Sequence, residues 1–388
     1  MKMLKIVLLT FMFWSLESTA APVIIPSAPQ LAVESYILID STTGKVLADH
    51  NAQVRLPPAS LTKIMTSYVI ASEIEQGRIS LSDLVPVSVN AWRMEGSRMF
   101  IQEGTQVSVE DLLRGIIIQS GNDASVAMAE FSAGSEQTFA EMMNQLAEWL
   151  GMHNSQFRNA TGLPDEAHYT TAADLAILTS ALIQRYPQHY KIYQEKYFTY
   201  NDIKQANRNS LLFRDETVDG VKTGHTKAAG YCLVASSQQK GMRLISVVMG
   251  ASSERTRASE TQKLLTYGFR FYETVSLYKA QENLRKVRVW GGLHESIQLG
   301  IEEDLAITIP RGQRDQLTAS IQVDPIIRAP LTRGQALGTL TLTLEGEILS
   351  EMRVLALNDV AEAGFFGWVW DELILIFTEL ISGDTSAL

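Results

Sequence analysis

Hydrophobic and polar positions in residues 31–275 predict strands at both ends of this stretch and helices between them. Two apolar runs within residues 36–49 are joined by a Ser-Thr-Thr-Gly turn, which predicts a hairpin. Residues 230–250 predict a second pair of strands around a polar turn. The intervening stretch has helical periodicity, and Ser108 and Thr171 each begin a capping sequence. We therefore predict an α+β domain over residues 31–275.

The pattern changes at residue 283. Over residues 283–360, apolar residues recur at every second position in five short segments that are separated by Gly, Pro or Asp. Side chains that alternate in this way are typical of strands with one buried face. We predict a small all-β domain here. It carries no cluster of chemically reactive residues, so we interpret it as a spacer or an interaction module.

Residues 361–388 return to a helical pattern. On a helix, Glu372 and Glu379 would share one face, while Trp370, Leu373 and other apolar residues would gather on the opposite face. Polar positions within the apolar stretch argue against a helix that crosses a bilayer, so we predict an amphipathic helix that anchors the protein at a membrane surface. The polar face is acidic, however, and offers no attraction to anionic lipids. A helix that packs on the protein or in an oligomer stays open as the alternative.

Residues 1–20 have the pattern of a secretory signal peptide. Lys2 and Lys5 precede an apolar run too short to span a bilayer, and Ser18-Thr19-Ala20 resembles a cleavage site. We therefore predict an exported protein. Cys232 is the only cysteine, so no intramolecular disulfide can form, and its position in an apolar strand indicates a buried residue without a chemical role.

Composition and motif content exclude several classes of function. The formal net charge is −10 at pH 7 and no long basic run occurs, so we expect no nucleic-acid partner. The six histidines are scattered without the H-E-x-x-H spacing of a zinc peptidase, and no Gly-rich phosphate loop occurs. We therefore expect neither a metal nor an organic cofactor.

Three short motifs carry the candidate chemistry. They are Ser60-Leu61-Thr62-Lys63, Ser120-Gly121-Asn122 and Lys222-Thr223-Gly224-His225. Each is weak alone, because S-x-x-K is often a surface helix turn, S-G-N a loop and K-T-G a strand end. Their order and their surroundings together indicate a serine acyl-transferase.

Ser60 and Lys63 are the candidate nucleophile and base. Ser60 follows Pro57-Pro58-Ala59 and begins a predicted helix, where backbone N–H groups favour negative charge. Lys63 lies one turn further along the same face of an almost entirely apolar helix. Burial and a second cation would lower the pKa of Lys63 until its amine can accept the Ser60 proton. A lysine that reaches solvent is the less favoured alternative.

The motif Ser120-Gly121-Asn122 falls between two predicted helices, so its side chains can face a cleft. We predict that Ser120 relays a proton between Lys63 and the leaving amine, and that Asn122 binds a substrate carbonyl. A helix cap is the alternative role for Asn122, and the two roles are compatible.

The K-T-G motif lies beside a strand along which a peptide can bind. Gly224 leaves room for that peptide, and Thr223 offers a hydroxyl to a terminal carboxylate. Lys222 adds a positive charge that would also lower the pKa of Lys63. The backbone N–H of His225 can join that of the nucleophile in an oxyanion hole. The motif holds no Asp partner for the His225 ring, so we predict a binding contact rather than a base.

These motifs resemble those of the low-molecular-mass penicillin-binding proteins of the serine-type D-alanyl-D-alanine carboxypeptidase family. Nearly the whole chain after the signal peptide shares the resemblance, and further matching segments are Gly96-Ser97-Arg98-Met99-Phe100, Ser120-Gly121-Asn122-Asp123-Ala124, Asn207-Arg208-Asn209 and Leu264-Leu265-Thr266-Tyr267-Gly268-Phe269. The resemblance implies a domain like that of β-lactamases and transpeptidases, with a central antiparallel sheet flanked by helices. The small β domain and the anchor helix would follow it.

The resemblance also implies the reaction and its location. Ser60 would attack the bond between the two terminal D-alanines of a peptidoglycan stem peptide, and β-lactams would acylate the same serine. A cationic side chain helps to bind the terminal carboxylate in this family: Arg208 matches such a position, and Arg257 is a second candidate. An ordinary surface ion pair is the alternative for Arg257. The implied location is the periplasmic face of the cytoplasmic membrane.

A β-lactamase is the nearest alternative function, and Glu166 would be its water-activating group. The residues around Glu166 lack the E-x-x-L-N pattern of serine β-lactamases, so we interpret Glu166 as exposed loop charge. A DD-endopeptidase and a non-catalytic wall-binding protein are further alternatives. The presence of Ser60, Lys63 and Lys222 argues against a non-catalytic protein.

Overall fold

The computed structural model describes residues 24–365, 367, 369–371 and 373–375. The predicted signal peptide lies outside these residues, as do residues 366, 368, 372 and 376–388 of the predicted tail helix. The strands are β1 Ser35–Asp40, β2 Val46–His50, β3 Leu84–Pro86, β4 Gln106–Ser108, β5 Tyr197–Tyr200, β6 Ile203–Ala206, β7 Val218–Thr226, β8 Gly230–Gln239, β9 Met242–Ala251, β10 Tyr272–Tyr278, β11 Arg285–Arg288, β12 Ser296–Gly300, β13 Leu305–Pro310, β14 Leu317–Val323, β15 Ala336–Leu344 and β16 Glu347–Ala356. The helices are α1 Thr62–Glu75, α2 Val89–Trp92, α3 Val109–Arg114, α4 Asn122–Ala133, α5 Glu136–Leu150, α6 Ala172–Arg185, α7 Pro187–Tyr190 and α8 Glu254–Phe271.

A five-stranded antiparallel sheet joins the two predicted strand pairs. Its strand order is β2-β1-β9-β8-β7, so the early hairpin lies directly beside the later strands. Ile245 and Val247 of β9 lie in a core that they share with α1, α3, α4 and α6, while Leu244 and Val248 lie in a second core with α8. Burial on both faces explains the continuous apolar run of β9. The predicted α+β fold is confirmed.

Side-chain caps fix the start of several helices around this sheet. Ser108 and Thr171 accept hydrogen bonds from backbone N–H groups three residues further on, as predicted. α1 is buried along all but its last residues. A charged side chain near the start of such a helix is removed from water, and this places Lys63 inside the protein.

The later part of the chain folds as antiparallel strands around a third core. One sheet has the order β11-β12-β16-β15-β14, and β13 pairs with β10. The five alternating segments of the sequence all become strands, and the all-β prediction is confirmed. β16 was not predicted, because the pairs Ile348-Leu349 and Ser350-Glu351 interrupt the alternation and only its last three residues are buried.

Asp40, at the end of β1, connects the first sheet to the later strands. Its carboxylate is fully buried and accepts hydrogen bonds from the hydroxyls of Thr274 in β10 and Thr308 in β13, at 2.5 and 2.6 Å. Lys45 donates to the Thr308 carbonyl at 3.0 Å. Because a buried carboxylate needs such donors, these contacts fix the β10–β13 pair against the β1–β2 hairpin.

The described residues between 365 and 375 are helical. Asp371 joins this helix to the β-rich part: its carboxylate accepts from Arg288 Nη2 at 3.3 Å and from the Gly291 N–H at 2.9 Å. None of the helices in the described part of the chain is long and apolar enough to cross a membrane.

Candidate active site

Ser60 lies in a 3-10 turn, Ala59–Leu61, directly before α1. The α-helix therefore begins two residues later than the sequence predicted, at Thr62. Ala59 has a φ of 47°, a left-handed conformation that is uncommon for residues with a Cβ. Ala59 and Leu61 are buried, whereas Ser60 is partly exposed. The turn thus presents one hydroxyl to solvent from an otherwise buried segment.

The Lys63 amine contacts this hydroxyl. The Lys63 side chain is buried, with 1% exposure, and Nζ lies 3.3 Å from Ser60 Oγ, 2.7 Å from Asn122 Oδ1 and 2.6 Å from the Thr161 carbonyl oxygen. Asn122 Oδ1 and the Thr161 carbonyl can only accept hydrogen bonds, whereas a hydroxyl can also donate. A neutral Lys63 therefore uses its two N–H groups on these two acceptors. Its lone pair then faces the Ser60 hydroxyl.

Burial lowers the pKa of Lys63 from its ordinary value of 10.5 to about 7. Asp123 and Glu136 act in the opposite direction, while the positive charge of Arg208 adds to the lowering. Lys63 and Lys222 repel each other, in agreement with the prediction for Lys222, and Arg208 is a further cation with this effect that the sequence did not indicate. With this pKa, a large share of Lys63 is neutral at neutral pH.

The Ser120-Gly121-Asn122 loop lies where a π-helical turn meets α4. Gly121 occupies the cap position, and Asn122 is the first helical residue. The Asn122 side chain accepts from the lysine and donates to the Glu95 carbonyl at 2.6 Å, so the alternative of a helix cap is wrong. Ser120 is buried with a φ of 67°, and its Oγ makes no hydrogen bond with any described residue. The proton relay through Ser120 stays a prediction.

Asp123 holds a neighbouring segment against this loop. Its carboxylate accepts from the N–H groups of Met99, Phe100 and Ile101 at 3.0, 2.8 and 3.3 Å, and the Asn122 N–H donates to the Ser97 carbonyl at 2.7 Å. Hydrogen bonds to a charged acceptor are stronger than neutral ones. The Gly-Ser-Arg-Met-Phe segment thus forms a wall beside the loop.

β7 brings the K-T-G motif beside the Ser60 turn. It is the outer strand of the five-stranded sheet. A Cβ on Gly224 would lie 3.1 Å from the Pro58 carbonyl oxygen, so glycine permits the close approach of strand and turn. An outer strand has a free edge with which an extended peptide can pair.

Lys222 is buried in β7, and its Nζ donates to the Thr223 carbonyl at 3.1 Å. Burial and the positive charges of Lys63, Arg208 and Arg257 hold the pKa of Lys222 well below its ordinary value. The positive charges of Arg208 and Arg257 close to Lys222 favour a substrate with a carboxylate.

The two candidate arginines have different environments. Arg208 is exposed, and its Nε donates to the Gln119 carbonyl at 3.0 Å beside the Ser120 loop. Arg257 is only 6% exposed, and its Nη1 donates to the Gly224 carbonyl at 3.3 Å. Arg257 does form an ion pair, since its Nη2 lies 3.4 Å from Oε1 of the exposed Glu254, but its guanidinium is buried and not at the surface. Arg257 supports the motif strand from α8.

The Thr161 carbonyl was not among the predicted site residues. It lies in a turn where Asn159 Oδ1 accepts from the Thr161 hydroxyl and N–H and from the Gly162 N–H. A Cβ on Gly162 would overlap the Ala59 carbonyl, so this turn packs directly on the Ser60 segment. The Asn-Ala-Thr-Gly sequence is a recognisable turn signal, but its spacing does not link it to Lys63.

Glu166 and Cys232 have the environments that the sequence indicated, and the binding role of His225 stays a prediction. The His225 ring is exposed and stacks on Tyr231 with ring centroids 4.0 Å apart. Glu166 is exposed and forms no hydrogen bond or ion pair within residues 24–365. Cys232 is buried, and burial raises the pKa of its thiol to about 11.

A cavity of about 530 Å³ opens beside the Ser60 turn, against Pro58, Gly162, Leu163 and Thr226. A larger groove of about 1060 Å³ is lined by residues of α8 and of the segments 26–29 and 211–216. Neither cavity is lined by Ser60 or Lys63, so we assign the chemistry from the contact between these two side chains, which the smaller cavity adjoins through Ala59.

Two parts of the chain match known families. Residues 23–253 match the D-alanyl-D-alanine carboxypeptidase family. The chain belongs to this family. Residues 272–362 match the C-terminal domain of penicillin-binding protein 5. The resemblance inferred from the motifs is confirmed.

Relatives from several bacteria are similar over most of the chain. D-alanyl-D-alanine carboxypeptidase DacC of Escherichia coli (strain K12) is 46% identical, with 90% of each chain covered. The structure of penicillin-binding protein 5 from Haemophilus influenzae is 42% identical and covers 87% of this chain and 100% of that chain, with a TM-score of 0.82. Penicillin-binding protein D2 from Listeria monocytogenes, solved in the ampicillin-bound form, is 29% identical over 62% of this chain and 98% of that chain, with a TM-score of 0.57.

Proposed function

We propose that this chain is a serine-type D-alanyl-D-alanine carboxypeptidase that removes the terminal D-alanine from peptidoglycan pentapeptides. The observation that carries the proposal is the position of the Lys63 amine, 3.3 Å from Ser60 Oγ, with Asn122 and Thr161 as its other partners. The E. coli relative is named for this activity. The chemistry is acyl transfer through an ester on Ser60.

In the acylation step, neutral Lys63 accepts the Ser60 proton while Oγ attacks the carbonyl carbon of the penultimate D-alanine. The backbone N–H groups of Ser60 and His225 stabilise the oxyanion. The C–N bond to the last residue then breaks, and the proton passes from Lys63 through Ser120 to the leaving amine. Water afterwards hydrolyses the ester and regenerates the Ser60 hydroxyl.

The binding residues position the peptide for this attack. Asn122 Nδ2 has two N–H groups, of which the Glu95 carbonyl takes one, so the second can donate to a substrate carbonyl. The peptide backbone pairs with the free edge of β7, and Gly224 gives it room. Thr223 and Arg208 bind the terminal carboxylate, whose negative charge favours the protonated form of Lys222. Arg257 supports the Gly224 carbonyl in this arrangement.

Mass spectrometry after penicillin treatment tests the nucleophile. We expect one covalent adduct on the peptide that contains Ser60, its loss in Ser60→Ala, and its retention in the control Ser180→Ala. The Listeria relative, solved with ampicillin, supports β-lactam binding. An adduct elsewhere in the chain would exclude Ser60 as the nucleophile.

Substrate assays separate this activity from its alternatives. We expect release of D-alanine from a soluble pentapeptide and slow release of the bound penicillin. Faster cleavage of cross-linked dimers than of the pentapeptide would indicate an endopeptidase, and rapid turnover of nitrocefin would indicate a β-lactamase. Either result would overturn the proposal.

The proposal assigns a role to each part of the chain. Residues 1–20 direct export, residues 31–275 carry catalysis, residues 283–360 act as a spacer, and residues 361–388 attach the enzyme to the periplasmic face of the cytoplasmic membrane. Removal of residues 361–388 should leave the activity on soluble peptides intact and shift the protein to the soluble fraction. Unchanged fractionation would exclude the tail as an anchor.

A further inference from the structure

The docked tail helix directs one acidic residue towards the protein rather than towards lipid. Asp371 accepts from Arg288 at 3.3 Å and from the Gly291 N–H at 2.9 Å. Arg288 therefore compensates the negative charge of Asp371, which would not repel an anionic surface. The acidic face that weakened the membrane interpretation of the sequence thus contributes, through this residue, to docking the helix.

Apolar side chains remain exposed near this contact between the tail helix and the β-rich part. Trp370 is 67% exposed, and Phe365 and Leu373 of the same helix are also exposed. Leu293, which is 66% exposed, lies nearby because its N–H donates to the Ala361 carbonyl at 2.8 Å. Tryptophan and other large apolar residues with this exposure are typical of a protein face that lies at a membrane interface.

The basic strand β11 lies beside the Asp371 contact, because Arg288 on this strand pairs with Asp371. β11 is an outer strand of its sheet, and Arg285, Lys286 and Arg288 on it are exposed. Arg288 also lies over the Trp290 ring, 3.9 Å from its centroid. Lys286 forms no ion pair within residues 24–365, and Arg285 donates only one N–H, to the Ile321 carbonyl at 3.1 Å. A shallow cavity of about 450 Å³ runs along this strand.

We propose that β11 and the exposed face of the tail helix form one surface that binds an anionic phospholipid bilayer. We call it the lipid patch, and it consists of Arg285, Lys286, Leu293, Phe365, Trp370 and Leu373. The apolar residues insert at the headgroup level, and Arg285 and Lys286 contact lipid phosphates. The patch supplies the positive charge that the tail lacks. This inference rests on the proposed membrane attachment and names its lipid partner.

Charge complementarity favours an anionic bilayer as the partner of the lipid patch. The chain as a whole has a formal net charge of −10, so an anionic surface would repel most of it. A basic residue near an anionic membrane strengthens binding by about fivefold, so the two basic residues together should contribute roughly 25-fold. This contribution falls with rising salt because the charges are screened.

Vesicle flotation of the exported protein, purified after processing, tests the lipid patch. The variant Arg285→Gln/Lys286→Gln is compared with the control Lys240→Gln/Arg255→Gln, which removes two exposed positive charges outside the β-rich part. On phosphatidylglycerol vesicles we expect the first variant to bind roughly 25-fold more weakly and the control to bind like the parent protein. On phosphatidylcholine vesicles all three should bind equally. Unchanged pentapeptide hydrolysis shows that both variants are folded.

The outcomes separate this inference from the proposed anchor. Equal binding of the first variant and the parent protein to phosphatidylglycerol vesicles would overturn the lipid patch, as would an equal loss in the control. Recovery of binding in Arg285→Lys/Lys286→Arg would support a role for charge rather than for shape. If removal of residues 361–388 leaves vesicle binding unchanged, the anchor itself is wrong. If that removal releases the protein while the Gln variant still binds, only the lipid patch is wrong.

Discussion

Replacement of Lys63 by arginine should nearly abolish acylation by penicillin. Arginine keeps the positive charge and the hydrogen-bond donors, but it cannot lose a proton at neutral pH. The pKa of Lys63 is lowered from 10.5 to about 7, so its neutral fraction at pH 7 is about 10³-fold larger than that of an exposed lysine. Loss of a positioned general base typically slows a reaction by roughly 10²–10⁴-fold, and we expect a decrease in that range.

The pH dependence of the unmodified protein gives an independent test. Because burial lowers the pKa of Lys63, the amine is protonated below about pH 7 and neutral above it. The second-order rate of acylation should therefore rise about tenfold per pH unit at acid pH and become constant above about pH 7. Labelled penicillin and quenched time courses at several pH values measure this rate.

Two results would refute this role for Lys63. One is an acylation rate that does not change across acid and neutral pH. The other is a Lys63→Arg variant that is acylated at nearly the parent rate. The control Lys240→Arg, at an exposed turn between β8 and β9, should be acylated normally. If the larger arginine disturbs folding, Lys63→Gln removes the base with a smaller side chain, and its acylation should be slowed by a similar factor.

Three further predictions concern stability. The folded-state pKa of Lys63 lies below its unfolded value, so the cost of burying the charge is present at low pH and is relieved between about pH 7 and about pH 10.5. Over that range the unfolding free energy, measured by urea denaturation, should rise by up to about 5 kcal/mol relative to that of Lys63→Met. Gly162→Ala should slow acylation and lower the Tm more than Gly134→Ala, because both glycines have positive φ but a Cβ at Gly134 meets open space. Asp123→Ala should cost roughly 2–4 kcal/mol of unfolding free energy by removing the acceptor of several buried N–H groups, and Asp123→Asn should cost less.

Periodicity predicted the elements whose burial is regular. The alternating strands of the β-rich part and the apolar run of β9 were recognisable because each buries a constant face or both faces. β3 to β6 were not predicted, since they have three or four residues each and mostly exposed side chains. A strand this short is determined by its tertiary neighbours rather than by its own pattern.

Spacing along the sequence predicted the contact between side chains one helical turn apart, such as Ser60 and Lys63. It did not find the Thr161 carbonyl, because a backbone oxygen has no residue signature and lies 98 positions away in the chain. The sequence also did not predict the effect of Arg208 on the pKa of Lys63, because that effect depends on how a distant loop folds back towards the Ser120 loop.

The neutrality of Lys63 depends on how its possible ion-pair partner is occupied. Asp123 follows Asn122 in the chain and raises the pKa of Lys63, so a carboxylate free to approach the amine would keep the lysine protonated. Its two oxygens instead accept from the N–H groups of Met99, Phe100, Ile101 and Ala124, which hold it away from the amine. The amine is left with two neutral acceptors and one hydroxyl. The segment that shapes the loop wall therefore also keeps the base available for the serine.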